Sequence, residues 1–108
     1  MLNVACLNRA PFREILSGEK RNEYRIRKRP DPRLEAVHPG ERLIFLERGS
    51  DRALECTVSG CQRFAPHDPT DPDGDYPEYC YDVAFTGVRL IAAPGARHLQ
   101  GWSRRDSL

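Results

Sequence analysis

Three side chains able to do chemistry together lie close in sequence: the amine of Lys20, the carboxylate of Glu23 and the guanidinium of Arg25. Glu23 and Arg25 are two apart, so on a strand they share one face. A carboxylate beside a guanidinium makes a charge-assisted pair that can orient a third group, either the Lys20 amine or a bound base. Gly18 supplies a left-handed stop just before them, and at that turn the backbone can aim the Lys20 amine sideways into a cavity. The triplet therefore has the makings of a pocket held by a strand, which fixes side chains more firmly than a loop does. Composition alone favours a plainer account, a solvated strand face whose surface ion pairs are worth little.

The elements that position these groups are short. Leu2, Val4 and Cys6 alternate with Asn3, Ala5 and Leu7 and predict a buried first strand. Pro11 suits a first helical position, and Phe12, Ile15 and Leu16 recur at helical spacing up to Gly18, so a helix of two turns at most follows. Alternation over 20–28 predicts a second strand, with Tyr24 on the core side and Glu23, Arg25 and Arg27 on the other. The Arg29-Pro30-Asp31-Pro32 run breaks it, because prolines remove ladder donors. A loop or one helical turn through Leu34–Val37 comes next, then the His38-Pro39-Gly40 turn and a central strand over Leu43–Leu46. Gly49-Ser50-Asp51 forms a hairpin turn into a strand over 53–59, with a bulge or bend at Gly60. Strand character returns over 79–92, interrupted by Gly87.

The segment 66–77, rich in Pro, Asp and Gly, is predicted as a long acidic surface loop. Asp71, Asp73 and Asp75 do not make a calcium loop, because Pro72 and a misplaced Gly74 break the spacing. Its acidity opposes the basic stretch from Arg13 to Arg33, which suggests either a contact surface or a lid over the basic strip. The tail is polar apart from Leu99 and Trp102, and residues 103–108 are expected to fray. Trp102 is available either to stack on a base or to cap the open end of a barrel.

A chain of 108 residues is one domain's worth of material. No apolar run approaches the roughly 18 residues of a membrane span, and the N-terminus lacks the pattern of a secretory signal, so a cytoplasmic location is expected. The four cysteines (Cys6, Cys56, Cys61, Cys80) then read as reduced. Cys56 and Cys61 have no second pair to complete a zinc site, and His38, His67 and His98 are scattered, so the cysteines read as small apolar fillers and no metal or cofactor is expected. Short strands with brief helical pieces argue for an α+β, mainly β domain, mostly antiparallel, rather than a wound parallel sheet.

Gly18-Glu19-Lys20-Arg21-Asn22-Glu23-Tyr24-Arg25 fits the pattern G-x-K-x-x-E-x-R without a gap. In this the chain resembles the ASCH domain family. The order around it is similar too, since Leu7-Asn8 leads to Pro11-Phe12, Ile15-Leu16 and then the signature. Arg33-Leu34, Leu43-Ile44-Phe45 with Gly49, and 81–87 resemble later blocks of small bacterial members. The resemblance implies one PUA-like β-barrel (a pseudo-barrel) over 1–108, with a short helix after the first strand. It also implies a cleft lined by Gly18, Lys20, Glu23 and Arg25, with Arg33 at the rim, which recognises RNA or a small nucleoside ligand. Some members are amidohydrolases on N4-acetylcytidine, which casts Lys20 and Glu23 as catalytic residues; here Glu23 stands where that scheme needs a threonine. Others are linked to ribonuclease activity, for which His67 and His98 are the available histidines. Arg27-Lys28-Arg29 adds a basic strip for phosphates, or a solvated charge run.

Overall fold

The computed structural model describes residues 1–64, 79–93 and 101–107. Along the chain run β1 (Leu2–Leu7), α1 (Arg9–Ser17), β2 (Asn22–Arg27), α2 (Pro32–Glu35), β3 (Arg42–Glu47), β4 (Arg52–Phe64), β5 (Tyr79–Ala92) and β6 (Trp102–Arg105). Six strands form one sheet in the order β2-β5-β4-β3-β1-β6. Four of the five pairings are antiparallel, and β1 with β3 is parallel. The domain is thus mainly β, with the short helix directly after the first strand.

Alternation along the strands sends residues to two apolar clusters on opposite faces of the sheet. Ala5, Leu43, Phe45, Leu54, Val58, Val83, Phe85 and Trp102 point to the larger one, which α1 completes with Phe12 and Ile15 and the α2 region with Leu34 and Val37. Leu2, Val4, Ile44, Leu46 and Ala53 point the other way into the smaller. The sheet curls around the larger cluster far enough for its two edges to meet. From β2, at one edge, Arg25 Nη2 donates to the Cys6 carbonyl of β1 at 3.4 Å, and its guanidinium carbon lies 5.8 Å from the ring centroid of Trp102 on β6, the other edge.

Two bulges shape the long hairpin of β4 and β5. Glu55 pairs with Arg89 and Thr57 with Thr86, so Gly87 and Val88 together face Cys56. Gly87 adopts φ 69, the left-handed geometry that such a bulge requires. The second slip, between Val58 and Gly60, leaves Ser59 as the extra residue, at the bend predicted from Gly60.

Several boundaries differ from the sequence expectation. The helix starts at Arg9, placing Pro11 third in the first turn, where its missing N–H is still harmless. β2 is shorter than 20–28, because Lys20 belongs to the turn after α1. Tyr24 is not core: it is 53% exposed and Ile26 55%, while Glu23 on the other parity is 5% exposed. Charge faces inward on this strand because the three groups satisfy one another. Residues 103–105 do not fray but pair with β1, in β6. The segment 66–77, His67, His98 and Leu99 lie outside the described residues. Among the described residues no helix is long and apolar enough to cross a membrane.

Candidate functional site

Gly18, at φ 87, closes α1 by donating its N–H to Ile15 O at 3.1 Å. The chain then folds back, with Lys20 N donating to Glu14 O at 3.1 Å and Phe85 N to Arg21 O at 3.2 Å. This fixes Lys20 between helix and sheet. Its Nζ donates to Glu23 Oε1 at 2.8 Å, and Arg25 Nη2 donates to Glu23 Oε2 at 3.0 Å. Each carboxylate oxygen therefore takes one cation, and the trio keeps an excess positive charge.

Shielding is greatest at the carboxylate in the middle. The Lys20 side chain is 27% exposed, that of Arg25 16% and that of Glu23 7%. Arg25 carries a further feature: its Nε is buried and has no partner among the described residues. Unmade hydrogen bonds at buried donors cost free energy, so this one marks either strain in the seam or a donor held for another group. The Cys6 carbonyl is reached by Arg25 because the pairing of β1 with β6 ends at Ala5 opposite Trp102, one residue short of it.

Beside Lys20 lies a hollow of about 340 Å³, walled by Leu16, Gly18, Lys20 and Arg21 on one side and by Thr86, Gly87 and Val88 on the other. The Gly87 bulge thus forms the wall facing the signature. Its volume falls in the range of roughly 300–1,000 Å³ typical of small-molecule sites. Of the trio only Lys20 lines it; Glu23 holds the Lys20 amine, and Arg25 holds Glu23. An ammonium has three donors, and Glu23 takes one of them.

Arg33 is not part of this group. Its guanidinium donates to Asp31 at 3.2 and 3.3 Å, and Arg27 Nε donates to the same carboxylate at 3.2 Å. Burial pushes the Asp31 carboxyl upward, but hydrogen bonds from Arg33 and Arg27 outweigh that and hold it below its usual range. Asp31 also caps α2 through the Arg33 N–H. Residues 27–33 surround a separate, shallow hollow of about 410 Å³.

Two polar networks escape sequence reading. Trp102, fully buried, donates Nε1 to Asn3 Oδ1 at 3.2 Å, which also accepts from Arg104 at 2.9 Å. Arg104 grips Glu41 at 2.6 and 2.9 Å. Trp102 is therefore neither a free stacking surface nor an outer cap; it is core. In the second network Tyr81 Oη accepts from Asp31 N at 3.0 Å and donates to Glu35 at 2.9 Å, which also receives Arg63. The bonded partners in these networks are distant in sequence, so no local motif announces them.

The cysteines behave as fillers. Cys56 belongs to the larger cluster and directs its thiol at Leu43 O, and Cys61 packs against the same cluster. Burial, reinforced by the Glu55 charge, pushes the Cys56 thiol up to about 12. Compared with known proteins, the chain matches no family model, no curated protein and no solved structure.

Proposed function

We propose that this chain is a PUA-like domain of ASCH type that binds RNA or a nucleoside derived from it, with Lys20 presented to the ligand by Glu23 and Arg25. One observation carries the reading: a nearly buried carboxylate holds an amine and a guanidinium on its two oxygens, and the lysine that bears the amine is in the wall of a hollow of ligand size. Keeping such a cluster at the rim of an apolar core is costly, and an all-apolar strand end would fold as well. A pre-organised donor for a base edge or a phosphate oxygen accounts for it. The match of Gly18–Arg25 to the ASCH signature agrees with this reading and extends it to the class of ligand.

Binding accounts for the geometry better than hydrolysis does. The Lys20 amine already donates to Glu23, and a lysine that acts as base or nucleophile must give up that proton. The test is titration of labelled single-stranded RNA, cytidine and N4-acetylcytidine into the purified protein and its Lys20→Ala variant. Salt-sensitive binding that Lys20→Ala weakens at least about tenfold supports the proposal. Absence of binding to all three ligands rejects it, and conversion of N4-acetylcytidine to cytidine by the wild type alone replaces it with a hydrolase.

A further inference from the structure

The second hollow, of about 410 Å³, is lined by one unbroken segment, residues 27–33. Its wall holds four cations, Arg27, Lys28, Arg29 and Arg33, with Asp31 as the one carboxylate among the lining residues, so three positive charges stand uncompensated there. Arg27 gives Asp31 one N–H and the Arg33 guanidinium gives it two, and Arg27 Nη1 donates to Ile26 O at 3.0 Å. A guanidinium has five N–H donors, so both arginines keep some to spare. Lys28 and Arg29 are exposed and have no ion pair among the described residues.

Runs of like charge usually belong to loose, solvated chain. This one is pinned to the fold. Asp31, 6% exposed, donates its N–H to the hydroxyl of the buried Tyr81 at 3.0 Å and accepts the Arg33 N–H on its carboxylate at 3.0 Å. Pro30 and Pro32 fix φ on either side of it. Glu35, the next carboxylate along the chain, is taken up by Tyr81 and Arg63 and is not in the wall. The cations are thus held together with their repulsion unrelieved, on a loop that is ordered before any ligand arrives.

Such an arrangement selects for charge density. A phosphate monoester carries about 1.5 to 2 negative charges at pH 7, short of the excess in the hollow, whereas two linked phosphates come close to it. A nucleic-acid strand spreads single charges along its length and calls for a line of cations, not four in one short loop. We infer that residues 27–33 bind the diphosphate group of a small ligand, with Lys28 and Arg29 as its free cations and the spare donors of Arg27 and Arg33 as further partners. This goes beyond the reading of the Lys20 site and does not rest on it.

Isothermal titration calorimetry with inorganic pyrophosphate, inorganic phosphate and a hexauridylate bearing hydroxyl ends tests it on the intact chain. Pyrophosphate should bind at least about tenfold tighter than phosphate, and the hexauridylate should not displace it. Lys28→Ala/Arg29→Ala should weaken pyrophosphate about tenfold. Arg9→Ala/Arg13→Ala, which removes the same charge from α1, should weaken it less than about twofold. Equal losses in the two variants would mean attraction to net charge alone and overturn the inference, as would pyrophosphate that fails to bind or binds no tighter than phosphate. A hexauridylate that displaces pyrophosphate and shares its dependence on Lys28 and Arg29 would overturn it too, by assigning the loop to RNA phosphates. Pyrophosphate binding with the expected dependence supports the inference even where cytidine, N4-acetylcytidine and RNA all fail to bind, a result that rejects only the Lys20 reading.

Discussion

The guanidinium of Arg25 lies over the indole of Trp102, 5.8 Å from its centroid, and so joins the first and last strands of the sheet across the seam of a curled structure. Arg25 completes the candidate site through Glu23 and anchors β2 to the far edge through Cys6 O and Trp102. Site and seam share one residue, so the rigidity of the amine beside the hollow derives from the closure of the sheet.

Trp102→Ala should therefore be among the most damaging single changes. It removes a fully buried indole, its bond to Asn3 and the surface beneath Arg25. A loss of about 4 kcal/mol is expected, read from the midpoint of urea unfolding. Trp102→Phe keeps most of the packing and should lose roughly half as much, since Asn3 Oδ1 retains its bond from Arg104. A tail that merely frays would leave both variants as stable as the wild type.

The members of the charged trio should separate by burial. Glu23→Gln leaves a shielded guanidinium without its counter-charge and should cost about 3 kcal/mol. Lys20→Ala removes a more exposed partner and leaves Glu23 paired with Arg25, so about 1 kcal/mol or less is expected. Paired denaturant curves check this, and a Lys20→Ala variant less stable than Glu23→Gln would mean the amine is the structural keystone. The expected order makes Lys20→Ala the clean probe of binding.

How far the sequence reveals this molecule depends on the range of the interactions. Gly18 as a helix stop and the charged trio are local, and spacing exposes them. The facing of β2 is not: its apolar residues predict an inward Tyr24, yet the inner side is taken by Glu23 and Arg25 because groups from β1, β6 and the α1 turn satisfy them. The family resemblance puts Arg33 at the rim, and only the fold of 27–33 shows it held by Asp31. β6 was hidden for a related reason. A short polar segment carries little strand signal, and its place is set by partners about a hundred positions away in sequence, such as Asn3 for Trp102 and Arg104.

Gly18 and Gly60 offer a contrast in backbone strain. A Cβ at either position meets nothing within 4 Å, but Gly18 has φ 87 whereas Gly60 has no positive φ. Gly18→Ala should thus cost about 1 kcal/mol through conformation alone and loosen the turn that presents Lys20. Gly60→Ala should be neutral or stabilising by about 0.5 kcal/mol, since it restricts the unfolded chain. Melting temperatures of the two variants decide it, and equal losses would mean that steric space rather than φ sets the cost.

Acid should unfold the chain chiefly through carboxylates gripped by arginine. Hydrogen bonds from Arg104, working against burial and aided by the His38 N–H and the Asn3 amide, lower Glu41 from 4.5 to about 2. Asp31, Glu47 and Glu55 are lowered as well. Because the folded value lies below the unfolded one, the unfolded chain binds protons first as pH falls. The stabilisation from Glu41 is complete above about pH 4.5 and is lost as pH drops towards about 2. Its share is on the order of 2 kcal/mol once solvent screening at this partly exposed pair is allowed for. Arg104→Ala should remove that share at pH 7 and flatten the acid limb of the stability curve between about pH 4.5 and 2. Urea unfolding followed at several pH values tests this, and a variant whose acid limb runs parallel to the wild type would show that Arg104 does not control Glu41.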